Sequence, residues 1–590
     1  MIGVGLSIVQ LAVRQLLGRT FNPLDLFRNN EQGAWYDVNL TDGVLFQDSA
    51  GTTPVTAVEQ PVGLMLDKSK GLVLGPQLVT NGGPGFTTTT GWTGSGGTLS
   101  SVSGALRVTS GGSGFGSGWI SFATEVGKTY RFTFSVASNG RGRFGTSSGG
   151  SDLFASTTGT VSGVFRATGT TSFFSFFVNS GTAGETTDLT SVGVRELPGN
   201  HAFQTTSASR PVLSARVNLL TKTEQFDDVA WVKVNATVTA NATVAPNGTS
   251  TADKLIPSNG VTNNHVENTF SYVSGTSYKF SLYIKAAGFN YFGANWGSAA
   301  FPSANRSLRI NLVNGTVDTV NTTVASASCI PVGDGWYLIT MTQTASATAS
   351  DVLRFYTLST QTTVLGNGVD GSFVWGADLR VSNDGVGLHA YQRVNTATDY
   401  DTTGFPTYLR FDGVDDWMQL ANDSIDVLET SNQPFAMWAG VRRNTTDYAN
   451  IFCAADNTSI DAANNDFVIF DLSLSTTQSG GSLRDFGGLT KTASAGTLSA
   501  PQTLVQTWTR TATTGTVRVN GTAGTAVDQT QPTLALKLYS IGARRRGSTP
   551  TLDAHLNGRL YSLIVRGAAS TTAQIEATEA YVNSKTKAFA

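Results

Sequence analysis

The stretch YLRFDGVDDWMQL (Tyr408–Leu420) opens the last third of this 590-residue chain. Leu409 and Phe411 alternate with other residues before its Asp-Gly step, and Met418 and Leu420 do so after it. Successive side chains of a β-strand point to opposite faces, and Asp-Gly steps favour tight turns. We therefore expect the corner of a hairpin, with these apolar residues feeding the core of an antiparallel β-sandwich.

Three carboxylates, those of Asp412, Asp415 and Asp416, crowd this turn. Retaining glycosidases hold two carboxyls about 5 to 5.5 Å apart on rigid strands, whereas Asp412 and Asp415 lie in the turn itself. Calcium takes about six to eight oxygen ligands, of which three Asp residues could supply some. Because Asp side chains commonly bond nearby backbone amides in turns, turn chemistry is the favoured interpretation. Calcium, catalysis and sugar contact stay open as alternatives.

The composition predicts a mainly β protein. Charged residues make up only 14% of the chain and Gly contributes 65 residues, while a hydrophobic content of 40% can supply cores. The formal net charge of −2 gives no basic field for phosphates, so a nucleic-acid partner is disfavoured. The two cysteines, Cys329 and Cys453, exclude a disulfide framework. The four histidines fall at no metal-ligand spacing.

Two central regions are copies of each other. VGKTYRFTFSVAS (Val126–Ser138) aligns with SGTSYKFSLYIKAAG (Ser274–Gly288), and both regions end in His-Ala-aromatic-Gln, at His201–Gln204 and His389–Gln392. A repeat this long indicates duplicated whole domains, here antiparallel β-sandwiches. The expected parts are 1–75, an N-terminal helix and docking segment; 76–200, sandwich 1; 201–216, a linker; 217–388, sandwich 2; 389–407, a second linker; and 408–590, a third sandwich with a C-terminal helix.

The first segment, MIGVGLSIVQLAVRQLLGR, has apolar residues at helical spacing. No basic residue precedes its apolar run, and Gln10 and Arg14 interrupt that run, so it fits neither a spanning helix nor a secretory signal well. We expect a short amphipathic helix that docks on a partner or on its own domain; a cleaved or membrane-associated segment is the alternative. From Phe21 to Gly75 the apolar residues come in pieces too short for a core, which predicts a partner surface. The docking candidates are Trp35, Tyr36 and Phe46.

Four ordered stretches carry a first resemblance. YLRFDGVDDWMQL, TVRVNGT (Thr516–Thr522), YSIGARRRG (Tyr539–Gly547) and LNGRLYSLIVRGAASTTAQIEATEAYVNSK (Leu556–Lys585) together resemble a concanavalin A-like lectin domain of the laminin-G type. The resemblance covers residues 408–590 and implies a lectin-like sandwich. Glucanases of the related fold share an alternating Glu-x-Asp-x-x-Glu strand, and no such run occurs in this sequence.

Two further resemblances lie upstream. LVTNGGPGF (Leu78–Phe86) and NLLTKTEQFDDVAWVKVNATVTAN (Asn218–Asn241) resemble the opening strands of carbohydrate-binding-module-like jelly rolls. The segment Asn29–Gly71 is similar to the amino-terminal part of bacteriophage tail and minor virion structural proteins. This resemblance implies a particle-docking segment followed by outward-facing lectin-like domains.

Two clusters are candidates for glycan contact. Tyr291, Phe292 and Trp296 follow a predicted strand in a segment rich in Gly and Asn, and a sugar ring stacks on aromatic side chains; the alternative is a place in the core. Arg544 and Arg545 belong to a run of three arginines before Gly547. We interpret this run as a solvated loop, or as a contact for acidic polysaccharide or a neighbouring subunit.

The sequence thus predicts a non-enzymatic bacteriophage virion protein on the particle exterior, in a tail fibre or appendage. Its expected partners are other virion proteins and host-surface polysaccharide, with no nucleic acid, no membrane span, and no cofactor except the open calcium alternative. The other functions left open are a capsid or tail decoration protein, a polysaccharide depolymerase and a bacterial adhesin. No heptad run indicates a homotrimer, so that state also stays open.

Overall fold

A computed structural model describes residues 21–302, 304–363, 365–384, 387–421, 425–457, 466–472, 478–484, 490–547 and 551–589. The expected N-terminal helix lies outside the described residues. The chain forms two compact units. One comprises the described residues up to Leu213 with 408–498 and 505–585, and the other comprises mainly 214–407. No helix in the described ranges is long and apolar enough to span a bilayer.

The protein is mainly β, as predicted. The first strands are β1 (Gly33–Asp37), β2 (Leu45–Phe46), β3 (Leu64–Met65), β4 (Thr93–Ser95), β5 (Gly97–Val102), β6 (Ala105–Ser110), β7 (Ser117–Ala123), β8 (Thr129–Val136), β9 (Gly140–Gly145), β10 (Phe154–Thr157), β11 (Gly159–Arg166), β12 (Thr171–Val178), β13 (Thr186–Glu196), β14 (Ala202–Phe203) and β15 (Val212–Ser214). The next are β16 (Val232–Val234), β17 (Ala236–Thr243), β18 (Ala252–Pro257), β19 (His265–Tyr272), β20 (Ser277–Ala287), β21 (Tyr291–Trp296), β22 (Ser307–Asn311), β23 (Thr316–Val317), β24 (Ser326–Gly333), β25 (Trp336–Thr344), β26 (Ala349–Leu358) and β27 (Gly371–Val381).

The remaining elements belong to the C-terminal part of the chain. Its strands are β28 (Tyr408–Asp412), β29 (Met418–Gln419), β30 (Phe435–Arg443), β31 (Ala449–Ala455), β32 (Phe467–Leu472), β33 (Ser479–Arg484), β34 (Lys491–Ala495), β35 (Gln502–Arg510), β36 (Thr514–Val519), β37 (Thr522–Ala523), β38 (Val527–Asp528), β39 (Leu538–Ile541), β40 (Arg544–Arg546), β41 (Thr551–Asp553) and β42 (Asn557–Arg566). Helix α1 (Thr572–Thr586) follows, and short 3-10 helices occupy Pro23–Phe27, Ser207–Ser209 and Asp426–Glu429.

The first sandwich is a jelly roll. One sheet has the order β11-β8-β13-β6-β5 and the other β10-β9-β12-β7-β4. Early strands pair with late strands: β6 pairs with β13, and β7 pairs with β12. In the first sheet β8 lies between β13 and β11, and in the second sheet β9 lies between β12 and β10. The alternation of TYRFTFSV turns Phe132 and Phe134 inward, where they pack on Phe144 and Phe174.

The second sandwich repeats this order. Its sheets run β17-β18-β27-β20-β25-β24 and β16-β19-β26-β21-β22-β23, so that β18 takes the place of β6 and β27 the place of β13. An equivalent tryptophan hydrogen bond lies near the start of each sandwich. The indole of Trp92 donates to the carbonyl of Asn81 at 2.8 Å, and that of Trp231 donates to the carbonyl of Lys222 at 3.0 Å. The sequence repeat therefore corresponds to two sandwiches with the same order of five strands in each sheet, and each sheet of the second carries one further strand, β24 or β23, at its edge.

The third sandwich draws its strands from both ends of the chain. Its nine-stranded sheets are β15-β28-β42-β30-β35-β36-β37, joined by β1 and β38, and β2-β3-β14-β29-β39-β31-β32-β33-β34. Strand β1 pairs with β42 beyond the end of β28. Residues 1–75 and 201–216, assigned from the sequence to a docking segment and a linker, thus contribute strands to this sandwich.

This arrangement corrects the expected docking surface. Trp35 is 5% exposed, Tyr36 0% and Phe46 8%, because all three lie in strands of the third sandwich. The Tyr36 hydroxyl donates to the carbonyl of Asn200. The three side chains therefore pack inside the protein and are not presented to a partner.

The expected hairpin at Tyr408–Leu420 is also corrected. Strand β28 belongs to one sheet of the third sandwich and β29 to the other, so the turn crosses between sheets and does not pair its own two arms. Phe411 is 1% exposed and Met418 0%, as the alternation predicts. Only the partner strands differ from the prediction.

The predicted C-terminal helix is confirmed as α1. The backbone N–H of Thr571 donates to the side chain of Gln574 at 3.0 Å, and the backbone N–H of Gln574 donates to the Thr571 hydroxyl at 3.2 Å, which forms a capping box. Glu579 is buried and pairs with Arg518 of β36 at 2.7 Å. The helix is thereby fixed to the sheet.

A prediction concerns Asp67, which is fully buried and joins β1 to the end of the first jelly roll. Its carboxylate accepts from the backbone N–H groups of Trp35, Ser69 and Asn200 at 2.7–2.8 Å. Asp67→Ala leaves these donors unpaired, so we expect a loss of about 3 kcal/mol in unfolding free energy, measured by urea unfolding. The control Asp42→Ala removes an exposed pair with Lys68 and should cost less than about 1 kcal/mol. Equal effects would contradict the role of Asp67.

Candidate functional site

The outer face of one sheet in the first jelly roll is lined by aromatic and cationic side chains. Alternation in SGWISFA and TSFFSFFV turns Ile120 and Phe174 inward and leaves Trp119, Phe173 and Phe177 half-buried on the outside. The Trp119 and Phe173 rings are 5.7 Å apart. The guanidinium of Arg143 lies 4.4 Å above the Phe177 ring. The face thus combines a broad apolar platform with a fixed cation.

Arg143 holds unused hydrogen-bonding capacity on this face. Its Nε is buried and has no hydrogen-bond partner among the described residues. Burial lowers the pKa of the guanidinium, but arginine keeps its charge at neutral pH. Since an unpaired buried donor is costly, a ligand oxygen at this position would be stabilising.

The equivalent sheet of the second jelly roll has a more polar outer face. Tyr291 and Asn295 project from β21, Arg309 from β22 and Tyr356 from β26, and the Arg309 guanidinium lies 4.9 Å from the Tyr356 ring centroid. Gly293 makes this possible, because a Cβ there would lie 2.4 Å from Cε2 of Tyr356. The phenol ring therefore lies across the sheet backbone.

Several polar atoms of this second face are buried without a hydrogen-bond partner in the described part of the chain. They are Oδ1 of Asn295, Nη1 of Arg309 and Nε of Arg354. The other edge of Arg354 pairs with Glu267 at 3.1 Å. Burial lowers the pKa of the neighbouring His265, and Arg354 acts in the same direction, so the neutral imidazole is favoured. Two donors, on Arg309 and Arg354, and one acceptor, on Asn295, therefore remain for a polar ligand.

The structure separates the three aromatic candidates of β21. Phe292 and Trp296 are 0% exposed and pack in the core, where the Trp296 ring stacks on Phe301 at 4.7 Å. They cannot receive a sugar ring, and this part of the prediction is wrong. Tyr291 lies on the outer face, half-buried. Strand alternation places neighbours on opposite faces, so a cluster along one strand cannot form one platform.

Sequence reasoning missed Trp119, Arg143, Arg309 and Tyr356. The alternation along the strand contained the signal. Ile120 and Phe122 take the positions that face the core, so Trp119 takes a position that faces solvent. An aromatic residue in the solvent phase of a strand is the feature that distinguishes a platform from a core. Which sheet it belongs to requires the strand order.

The two candidate arginines of β40 also point in opposite directions. Arg544 forms two hydrogen bonds of 2.7 Å with Asp553 of β41. Arg545 lies 5.7 Å from the Trp417 ring, and burial lowers the pKa of its guanidinium. The arginine run is thus part of a hairpin, in place of the expected solvated loop.

The three Asp residues of the sheet-crossing turn use their oxygens mainly within the turn. Oδ1 of Asp412 accepts from the backbone N–H groups of Val414, Asp415 and Asp416 at 2.8–3.3 Å. Oδ2 of Asp416 accepts from the N–H of Asp412 at 3.0 Å, and Oδ2 of Asp415 accepts from the Ser209 hydroxyl at 3.0 Å. One oxygen from each carboxylate still lies within 4.8 Å of the other two. The turn interpretation accounts for the hydrogen bonds and leaves a three-carboxylate cluster.

The carboxylates of this cluster differ in acidity. Burial and the charges of Asp412 and Asp415 together raise the pKa of Asp416 to about 7, against the opposing hydrogen bond from the N–H of Asp412. The pKa of Asp412 is lowered, because the backbone N–H bonds outweigh its own burial. At pH 7 the Asp416 carboxyl is therefore protonated in part of the molecules.

Comparisons with known proteins add only weak likenesses. No family model matches the chain, and no curated protein matches it. Solved structures that share features of the fold include the NanB sialidase of Streptococcus pneumoniae, with 12% identity over 28% of this chain and 26% of that chain and a TM-score of 0.23. This chain thus spans about a quarter of the length of that sialidase.

Two further structures are smaller. The CBM40 of the Ruminococcus gnavus IT-sialidase, bound to alpha2,6 sialyllactose, shows 9% identity over 29% of this chain and 96% of that chain, with a TM-score of 0.24. The CBM22-1-CBM22-2 tandem of Paenibacillus barcinonensis Xyn10C shows 13% identity over 52% of this chain and 98% of that chain, with a TM-score of 0.19. Likenesses this weak carry no argument about this chain, so its description rests on its own strand order.

The raised pKa of Asp416 generates a prediction. Unfolded Asp titrates near about pH 4, whereas folded Asp416 keeps its proton up to about pH 7. The stability from that proton is full below pH 4 and is lost as the pH rises through 7. We therefore compare the thermal midpoints of the wild type and Asp416→Asn in the presence of a chelator. As the pH rises from 4 to 7, we expect the midpoint of the wild type to fall more than that of Asp416→Asn. Parallel curves for the two proteins would show that Asp416 does not titrate in this range.

Proposed function

We propose that the protein is a non-enzymatic glycan-binding protein whose two jelly rolls bind saccharides on the outer faces described above. The observation that carries this proposal is the half-buried Trp119, Phe173 and Phe177 beside Arg143, on a sheet face that should otherwise be polar. A pyranose ring presents C–H groups to an aromatic face, and a guanidinium donates to ring hydroxyls. Tyr291, Arg309 and Tyr356 offer the same pair of chemistries on the second roll.

Duplication supports binding over a purely structural role. Each roll carries a guanidinium over an aromatic ring on the equivalent sheet, although different strands supply the two arginines. Two weak sites on one chain raise the avidity for a repeating polysaccharide without tighter individual contacts. A capsid or tail decoration protein that uses its sandwiches only for protein contacts has no need of unpaired donors at both faces. It remains the second candidate function.

We place this activity on the exterior of a bacteriophage virion, in a tail fibre or appendage. The support is the similarity of Asn29–Gly71 to virion proteins, with other virion proteins as partners and a homotrimer as an open state. Docking through Trp35, Tyr36 or Phe46 is excluded from this proposal because those side chains are buried. Immunogold labelling of intact particles, with the copy number from quantitative mass spectrometry, tests the location. A protein absent from purified particles would refute it.

A catalytic role for the carboxylate turn is not part of the proposal. Asp412 and Asp415 are tied into the turn by hydrogen bonds, which the carboxyls of a catalytic pair would have to give up. Incubation of the purified protein with a panel of bacterial capsular and lipopolysaccharide glycans should release no oligosaccharide. Chain shortening would establish the depolymerase alternative.

The prediction for glycan binding uses Trp119→Ala. Truncating a stacking platform removes a large contact, so we expect affinity for a glycan found by screening a bacterial surface-glycan array to fall about tenfold or more, measured by isothermal titration calorimetry. Phe115→Ala is the matched control, since Phe115 is 60% exposed on a loop outside the sheet. This variant should bind the glycan as tightly as the wild type does. A blank array would favour the decoration protein, and equal losses in both variants would contradict the assigned face.

Calcium is a second proposal for the carboxylate turn. The cluster offers three oxygens within 4.8 Å of one another, and carbonyls or water would have to complete the shell of about six to eight. If it binds, the thermal midpoint should rise in calcium relative to chelator, and Asp415→Asn should abolish the difference. Wild-type midpoints that are identical in calcium and chelator would rule the site out.

A further inference from the structure

A pocket of about 290 Å³ lies on the outer face of the third sandwich, remote in sequence from both jelly rolls. Cys453 and Ala455 of β31 and Phe467 and Ile469 of β32 form an apolar cluster on this face. Alternation explains it, because Phe452 and Phe470 of the same strands turn inward to the core. A sheet face with an apolar floor and an open volume above it is a candidate ligand site.

The walls of the pocket are cationic. Arg484 of β33 and Arg544 and Arg546 of β40 line it, together with Tyr448, Ser482 and Thr492, and no Asp or Glu occurs among its described lining residues. The Arg484 guanidinium lies 4.6 Å from the Phe467 ring centroid. Three guanidinium groups over an apolar floor present an environment suited to an anion attached to an apolar body.

Two acids lie near the guanidinium groups of Arg544 and Arg546. Asp553 accepts both bonds from Arg544 and one of 3.0 Å from Arg546, so one carboxylate holds two guanidinium groups in place. Asp471 lies on the same face of β32 as Phe467 and Ile469, and burial raises the pKa of its carboxyl well above the ordinary value. The neutral form of Asp471 is therefore favoured, so this carboxyl does not cancel the charge of the guanidinium groups.

Two side chains near the pocket have buried polar atoms without a partner in the part of the chain that the structure describes. Nε of Arg546 is buried and makes no hydrogen bond, although Nη2 of the same group holds Asp553. Both carboxyl oxygens of Asp471 are likewise buried and unpaired. Unpaired buried polar groups are costly, and an incoming carboxylate would satisfy Nε of Arg546, which lines the pocket.

We propose that this pocket binds a single carboxylated sugar ring of an acidic polysaccharide. The carboxylate is held by Arg546 and Arg484, the C–H face of the ring rests on Phe467 and Ile469, and Ser482 and Thr492 bond the hydroxyls. The volume is at the lower limit of ordinary ligand pockets, about 300 Å³, which suits one ring and excludes a buried chain. The sites on the jelly rolls are separate, so this pocket and those faces stand or fall independently.

The test titrates the full-length protein with a short α-1,4-linked galacturonate oligomer, a neutral galactose oligomer of equal length, and inorganic sulfate. We expect saturable binding of the uronate only, weakening as salt is added. Uronate binding no tighter than that of the neutral oligomer would overturn the proposal. Sulfate binding as tight as that of the uronate would overturn its sugar component.

The variants locate the site. Arg546→Gln removes a charge-assisted contact and should weaken uronate binding about tenfold, and Thr492→Glu should weaken it through repulsion without disturbing the Asp553 pairs. Arg545→Gln is the matched control, because the neighbouring guanidinium faces Trp417 on the other side of β40. Circular dichroism and thermal midpoints confirm folding of each variant. Wild-type affinity in folded Arg546→Gln or Thr492→Glu would refute the assignment.

Discussion

Strand β42 is the constraint on which the third sandwich depends. Along one side it pairs with β30, and along the other it pairs first with β28 and then with β1. Segments from the beginning, the middle and the end of the chain therefore meet on one ladder. The Ser562 hydroxyl donates to the carbonyl of Tyr36 across 526 positions of sequence. Without β1, the backbone groups of residues 562–566 would be unpaired along that edge of β42.

The two jelly rolls are insertions into this sandwich. The first lies between β3 and β14, which pair with each other, and the second lies between β15 and β28, which are neighbours in the other sheet. In each case the chain leaves and returns at adjacent strands, where ends already close together make insertion inexpensive. Binding faces can thus change within the rolls while the pairing of the host sandwich stays the same.

Local pattern was sufficient to predict the mainly β class, the repeat, the closing helix and the burial of Phe411 and Met418. Long-range pairing was not predictable from it, because Trp35 and Tyr36 look like an unpartnered pair until β42 is known to lie beside them. Two of the glycan candidates, Phe292 and Trp296, failed for a related reason. Neighbours such as Tyr291 and Phe292 occupy opposite faces, and only strand phase and sheet order identify the solvent side. The arginine run indicated the cationic wall of the pocket. Its apolar floor could not be predicted, because β31 and β32 carry no distinctive motif.

The pairing of β1 with β42 also means that the third sandwich can form only late in synthesis of the chain. Ribosomes add about 5 to 20 residues per second, so β1 leaves the ribosome roughly 30 to 100 s before its partner strand exists. The first jelly roll is complete by Glu196 and can fold during that interval. The opening strand meanwhile has no β42 to pair with, so its backbone edge stays open to other contacts until residues 557–566 have been made.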